Sequence, residues 1–169
     1  MFKTDYEEYL SFDKLQNEVQ NHNGRWTAMT NFLKNRNAEG TFLDVGAGTG
    51  ELERRAKQAG LQPKEWLNVD IREEYIKELL LRHQKAKIGN VTHLPFFDRA
   101  FDTVCCAEVL EHLSNPGRGL AELCRVAKKR VILTLPCKRS QDPWHGWLIS
   151  AEIVGEWVVL ELERKEENK

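Results

Sequence analysis

The sequence has no stretch of about 18 consecutive apolar residues, so no helix in it is built to cross a membrane. Its richest apolar run, residues 147–160, is broken by Glu152 and Glu156. The opening residues, MFKTDYEEYL, are acidic and lack the apolar centre of a secretion signal, which points to a cytoplasmic protein. None of the cysteines (Cys105, Cys106, Cys124, Cys137) stands in a CxxC pair, which argues against a zinc knuckle. Cys105 and Cys106 are neighbours in an apolar run, where a strand sends them to opposite faces, and they read as small core residues in a reducing compartment. An excess of one charge is also missing. Lys and Arg (25) against Asp and Glu (26) leave −1, which weighs against a body dedicated to duplex DNA. What is present is a globular balance, 41% hydrophobic and 30% charged over 169 residues, enough for one sizeable core.

Residues 1–40 read as a polar, helical N-terminal lid, in which Trp26, Met29, Phe32 and Leu33 recur on one helical face. From Thr41 the pattern becomes short apolar strands alternating with helices. Strands are expected at 41–46, 66–70, 87–91, 101–107 and 130–135, and helices at 51–60, 72–83 and 116–126. Such alternation predicts an α/β fold, a doubly wound, mostly parallel sheet covered on both faces, over residues 41–169 of a single domain. One further strand, 157–163, is expected after Pro136, so the C-terminal strand region reads as shortened. Ligands of such sheets bind beyond the carboxyl ends of the strands, where strand order reverses.

Leu43-Asp44-Val45-Gly46-Ala47-Gly48-Thr49-Gly50 occupies the first strand-to-helix turn. Glycines there permit positive φ and let bare backbone approach a ligand. A dinucleotide fingerprint needs glycine at position 51, which is Glu51, and no Gly-Lys-Ser/Thr follows for a P-loop. The ligand is therefore read as nucleoside-like and free of phosphate. Asp70 lies twenty residues beyond Gly50 at the end of the second strand, placed to accept from both ribose hydroxyls. Alone, Asp70 reads equally well as the N-cap of the next helix. Ile71 is placed to lie against an adenine face, and Asn90 with the Val91 N–H to read the adenine edge.

These residues resemble class I S-adenosylmethionine-dependent methyltransferases, through LDVGAGTG (43–50), NVD (68–70), NVTHLPF (90–96), FDTVCCAEVLEHL (101–113) and RVILTLP (130–136). The flavour is that of the small-molecule group typified by ubiquinone-biosynthesis methyltransferases. The resemblance implies S-adenosyl-L-methionine as cofactor, with Asp44 and the Gly46, Ala47, Gly48 and Gly50 loop on its methionine part. It puts Asp70 on the ribose, Asn90 and Val91 at the adenine edge, and the Ala107 region at the amino group. Asn90 departs from the aspartate the family often carries there, and the family's final antiparallel hairpin reads here as one strand.

Methyl transfer to a small-molecule acceptor needs alignment first, and a base only where the nucleophile must lose a proton. His112 is the candidate base and Glu108 the candidate contact to an acceptor amine or hydroxyl, both just beyond the fourth strand. Glu108, Glu111, His112 and His145 also resemble the E-x-x-E-H…H set of metal-dependent small-RNA 2′-O-methyltransferases, an alternative that brings a nucleic-acid acceptor and a divalent ion. No metal is included in the preferred reading. A non-catalytic binding or regulatory subunit on the same fold is the second alternative, and a dehydrogenase the third. No Asp/Asn-Pro-Pro-Tyr/Phe follows the fourth strand, which argues against amino-group methylation of bases.

Overall fold

The computed structural model describes residues 23–136, 147–154 and 157–164. In chain order its elements are α1 (Asn23–Asn35), β1 (Thr41–Val45), α2 (Glu51–Gln58), β2 (Glu65–Asp70), α3 (Glu73–Leu81), β3 (Ala86–Ile88), β4 (Phe101–Ala107), a short 3₁₀ turn (Leu110–His112), α4 (Pro116–Val126), β5 (Ala127–Pro136), β6 (Trp147–Val154) and β7 (Trp157–Arg164). The strands form one seven-stranded sheet in the order β3-β2-β1-β4-β5-β7-β6. The first five are parallel, β7 runs antiparallel to β5, and β6 antiparallel to β7. Strand order reverses between β1 and β4, and that gap is where a doubly wound sheet opens a crevice.

Alternation along each strand feeds two cores. Leu43, Val45, Val69, Val104, Cys106, Val131 and Leu133 face Leu120, Leu123 and Val126 of α4. Phe42, Trp66, Cys105, Ala107 and Ile132 face the other way, onto α1 and α2. The adjacent cysteines thus do part to opposite faces, both buried as free thiols. Phe42 stacks on Trp66 with ring centroids 4.9 Å apart. Trp26, Met29, Phe32 and Leu33 of α1 are buried in this second core, so α1 covers the sheet itself. Residues 1–22 of the expected lid lie outside the described residues.

Two expectations are corrected. The third strand covers only Ala86–Ile88. Gly89 N–H still reaches Asp70 O at 3.0 Å, but Asn90 O then accepts from His93 N in a tight turn and Val91 turns its side chain into the core. The C-terminal region is not reduced to one strand: β6 pairs with β7 along its whole length. Leu148-Ile149-Ser150-Ala151-Glu152-Ile153-Val154 lacks strict alternation, so period-2 patterning does not reveal it. Among the described residues no helix is long and apolar enough to cross a membrane.

Candidate functional site

The chain leaves β1 into the glycine loop at the point of strand reversal. Gly46 N and Ala47 N both donate to Val69 O of β2, at 2.7 and 3.1 Å, which fastens the loop to the neighbouring strand. Gly46, Gly48 and Gly50 have φ of +74°, +52° and +73°. That left-handed region costs a residue with a side chain about 1–2 kcal/mol. Their surroundings differ. A Cβ on Gly46 would overlap Val109 Cγ2, and one on Gly50 would lie 2.6 Å from Leu79 Cδ2. Among the described residues, a Cβ on Gly48 would meet nothing within 4 Å. Of these three, Gly48 alone faces open space.

Asp70 closes β2 beside that space, only 7% exposed. Its Oδ2 accepts from Gly48 N at 2.9 Å and its Oδ1 from Arg72 N at 2.9 Å. Each carboxylate oxygen has a second lone pair, so the bonds that fix the group leave acceptor capacity for two hydroxyls. The competing N-cap role falls to Arg72, whose side chain makes no capping bond. Ile71 follows with 56% exposure, an uncovered apolar surface next to the fixed acid.

Asp44 lies one residue before the end of β1 and is 1% exposed. Its Oδ2 has no hydrogen-bond partner among the described residues. Burial pushes its carboxyl up to about 8, with the negative charges of Glu53 and Asp70 adding to the effect. At neutral pH this acid is protonated, and an incoming cation is the group that would favour its charged form.

Asn90 is placed differently from the sequence expectation. Its Oδ1 accepts from both Thr92 N and Thr92 Oγ1, each at 2.9 Å, so the acceptor meant for an adenine amino group is engaged in an Asx turn. The Nδ2 donor and the Val91 main chain are the parts of this turn left to meet a ligand. Ala107 ends β4, pairs with Thr134 of β5 and is 6% exposed. Glu108 follows with φ of +54°, donating its N–H to Thr134 O at 3.3 Å. A left-handed glutamate at a strand end is a strained position of the kind found at functional sites. His112 closes the 3₁₀ turn with its side chain 54% exposed and Nε2 4.0 Å from Glu111 Oε1. Among the described residues no group of three or more His, Cys, Asp or Glu side chains is arranged to hold a metal ion. His145 lies outside the described residues.

Glu51 does not point at the loop. It turns along α2 to Arg54 and Arg55, at 2.6 and 2.5 Å, and these pairs neutralise it. The exclusion of a pyrophosphate therefore rests on the missing glycine at this position and on the carboxylate of Asp70 beside Gly48.

Two supports of the site carry no motif. Arg125 of α4 donates to Leu94 O, Phe96 O, Asp98 and Glu122, and Glu122 in turn accepts from Leu94 N at 2.8 Å. Arg118 donates to Thr92 O at 3.2 Å. Together they hold the loop that carries Asn90 and Val91. The second support is a buried polar cluster around Glu53; a carboxylate between Leu52 and Ala56 on a buried helix face was its only trace in the sequence.

Residues 43–135 match the model of the methyltransferase domain. The chain belongs to that family. It is 32% identical over 145 residues to an uncharacterized methyltransferase of Schizosaccharomyces pombe, covering 75% of this chain and 52% of that protein. It is 36% identical over 112 residues to the ubiquinone/menaquinone biosynthesis C-methyltransferase UbiE of Burkholderia mallei, covering 61% of this chain and 45% of that protein. The chain thus spans about half the length of these relatives. Among solved structures, magnesium protoporphyrin IX methyltransferase (ChlM) from Synechocystis PCC 6803 with bound SAM superposes with a TM-score of 0.68 at 20% identity, over 83% of this chain and 78% of that one. This likeness shows the methyltransferase fold, with its sheet order and crevice.

Proposed function

We propose that this chain binds S-adenosyl-L-methionine along the glycine loop and transfers its methyl group to a small-molecule acceptor. The observation that carries the reading is the open space in front of Gly48 beside the anchored carboxylate of Asp70. Asp44 with Gly46, Ala47, Gly48 and Gly50 takes the methionine part, and the Ala107 strand end takes its amino group, with the Oδ2 of Asp44, unpartnered among the described residues, facing the ammonium. Asp70 takes the ribose, Ile71 the adenine face, and Asn90 Nδ2 with Val91 the adenine edge. Relatives named for small-molecule acceptors, UbiE and ChlM, support the acceptor class. Free, buried cysteines fit a reducing cytoplasm.

Bound there, S-adenosyl-L-methionine would supply a methyl carbon activated by its sulfonium, which the acceptor nucleophile would take up as the carbon–sulfur bond broke, with neutral S-adenosylhomocysteine as the leaving group. The protein holds nucleophile, carbon and sulfur in line, an effect of roughly 7–11 kcal/mol when complete. Glu108, fixed at the end of β4, contacts the acceptor amine or hydroxyl, and His112 takes its proton where one must leave.

Calorimetric titration with S-adenosylmethionine and S-adenosylhomocysteine tests the cofactor site. Gly48→Ala puts a methyl group where no atom of the described residues lies, at a strain of about 1–2 kcal/mol, so the chain still folds. We expect at least roughly a tenfold loss of affinity in Gly48→Ala and in Asp70→Ala, equivalent to about 1.4 kcal/mol. Unchanged affinity in both variants would overturn the assignment. In the same framework Glu108→Gln and His112→Ala lower kcat and leave cofactor affinity unchanged.

A further inference from the structure

Glu53 is 2% exposed in the first turn of α2, yet it is not an isolated buried charge. Its Oε1 accepts from Lys57 Nζ at 2.5 Å. Its Oε2 accepts from Asn68 Nδ2 at 2.7 Å and from Gln84 Nε2 at 2.6 Å. Asn68, fully buried in the middle of β2, also accepts from Trp66 Nε1 at 3.2 Å and donates to Lys85 O at 3.1 Å. Gln84 packs its amide against Gly50, where a Cβ would lie 2.8 Å from Nε2. One carboxylate therefore ties together the helix that follows the glycine loop, the strand that ends in Asp70 and the segment that leads into β3. Its negative charge is also close enough to add to the upward push that burial gives the Asp44 carboxyl.

We propose that Glu53 is a positioning residue for the cofactor site, acting through Asp44 and Gly50: it fixes the glycine loop against β2 and places a second negative charge close to the buried acid that receives the cofactor's ammonium. This rests on the cofactor reading above. A buried network this densely bonded is costly to break at any one member and rigid when complete, which suits a part that must hold a loop in register.

The charge has its own consequence. Among the described residues, the titratable groups facing Asp44 are Glu53 from α2, Asp70 from β2, and Cys105 and Cys106 from β4. Burial keeps both thiols neutral by pushing them up. The buried face of α1 offers Trp26, Met29, Thr30, Phe32 and Leu33, none of which titrates. Asp44 thus carries a proton below about pH 8 before any ligand binds. An ammonium arriving at Oδ2 favours the ionised carboxylate, so binding below that pH expels the proton and tightens as pH rises. Glu53 helps set where that dependence falls. A residue that only braced the fold would alter affinity or melting temperature and leave the midpoint in place.

The test is calorimetric titration of the full chain with S-adenosylhomocysteine, which carries the ammonium and is not turned over, from about pH 6 to about pH 9. Wild type is expected to bind more tightly with rising pH, by at most roughly tenfold per unit, up to a midpoint. Glu53→Gln keeps an oxygen for Asn68 and Gln84 but removes the charge, and moves the midpoint down by roughly half a unit or more. Lys57→Met, at a side chain 56% exposed, removes the cation that offsets Glu53 and moves it up, so the inference is testable even if Glu53→Gln fails to fold. Gln84→Met weakens binding severalfold at an unmoved midpoint. Unmoved midpoints in both charge variants, or a pH dependence that survives Asp44→Asn, would overturn this inference alone. No binding by wild type at any pH would overturn the cofactor reading and this inference with it.

Discussion

Gly46 and Gly48 stand two positions apart in one loop, both with positive φ, and ask for glycine for different reasons. Gly46 is hemmed in by Val109, the residue after the strained Glu108, so the loop of β1 and the end of β4 meet with no room for a methyl group. Gly48 has room on its Cβ side among the described residues. Gly46→Ala is therefore expected to cost stability, roughly 2–4 kcal/mol from strain and overlap together, read as a lowered urea midpoint, whereas Gly48→Ala costs affinity. The glycines, Asp44 and Asp70 were legible because their chemistry is local: a turn, a spacing, a strand end. Asn90 was legible as a position but not as a partner. Whether its Oδ1 faces a ligand or Thr92 depends on how the turn after β3 closes, and period and composition do not carry that information.

At the scale of elements, α4 does more than cover the sheet. Its start is spelled out by Asn115, which accepts from Arg118 N at 3.1 Å, and by Pro116 in the first turn. Its inward residues Leu120, Leu123 and Val126 follow helical spacing. Its polar face holds residues 92–98 through Arg118, Glu122 and Arg125, and that loop continues from the Asn90–Thr92 turn. Arg125→Met is expected to lower stability by about 1–2 kcal/mol, since the guanidinium is partly exposed and its bonds are worth less than buried ones. It should also weaken cofactor binding severalfold with kcat at saturation unchanged, as steady-state kinetics would show. Lysine in its place does not rescue, because one ammonium cannot serve carbonyls at residues 94 and 96 and carboxylates at 98 and 122 together. The strands β1, β2, β4 and β5 were readable as apolar runs, and β6 was not. Its partner β7 is its neighbour in the chain, with Val154 opposite Trp157, so what hid β6 was its missing alternation and not distance; the pairing no local pattern encodes is that of β7 with β5.

For the whole molecule, the ionisable groups set opposite pH slopes. Glu51 and Glu122 are held below the usual carboxylate range by hydrogen bonds from Arg54 and Arg125 respectively, so their stabilisation is present above about pH 4.5 and lost as pH falls through their folded-state values. Asp44 works the other way. Its carboxyl ordinarily titrates at 3.8 but stays protonated in the folded chain up to about 8, so between these values the folded state holds a proton the unfolded state does not. Stability of the unliganded protein is expected to fall as pH rises through that window, and saturating S-adenosylhomocysteine to flatten the decline. A series of melting temperatures between about pH 5 and about pH 8, with and without ligand, checks this; a rise with pH in the unliganded protein would contradict it. By itself the sequence determined the doubly wound sheet, the glycine loop at its first turn and the acid at its second, because strand periodicity, positive-φ glycines and a fixed strand-to-strand spacing are written in neighbouring residues. Only the tertiary structure decided that Gly48 faces open space, that Asp44 keeps its proton and that Glu53, Asn68 and Gln84 meet. Burial and contact between residues far apart in the chain exist only once the sheet has closed over them.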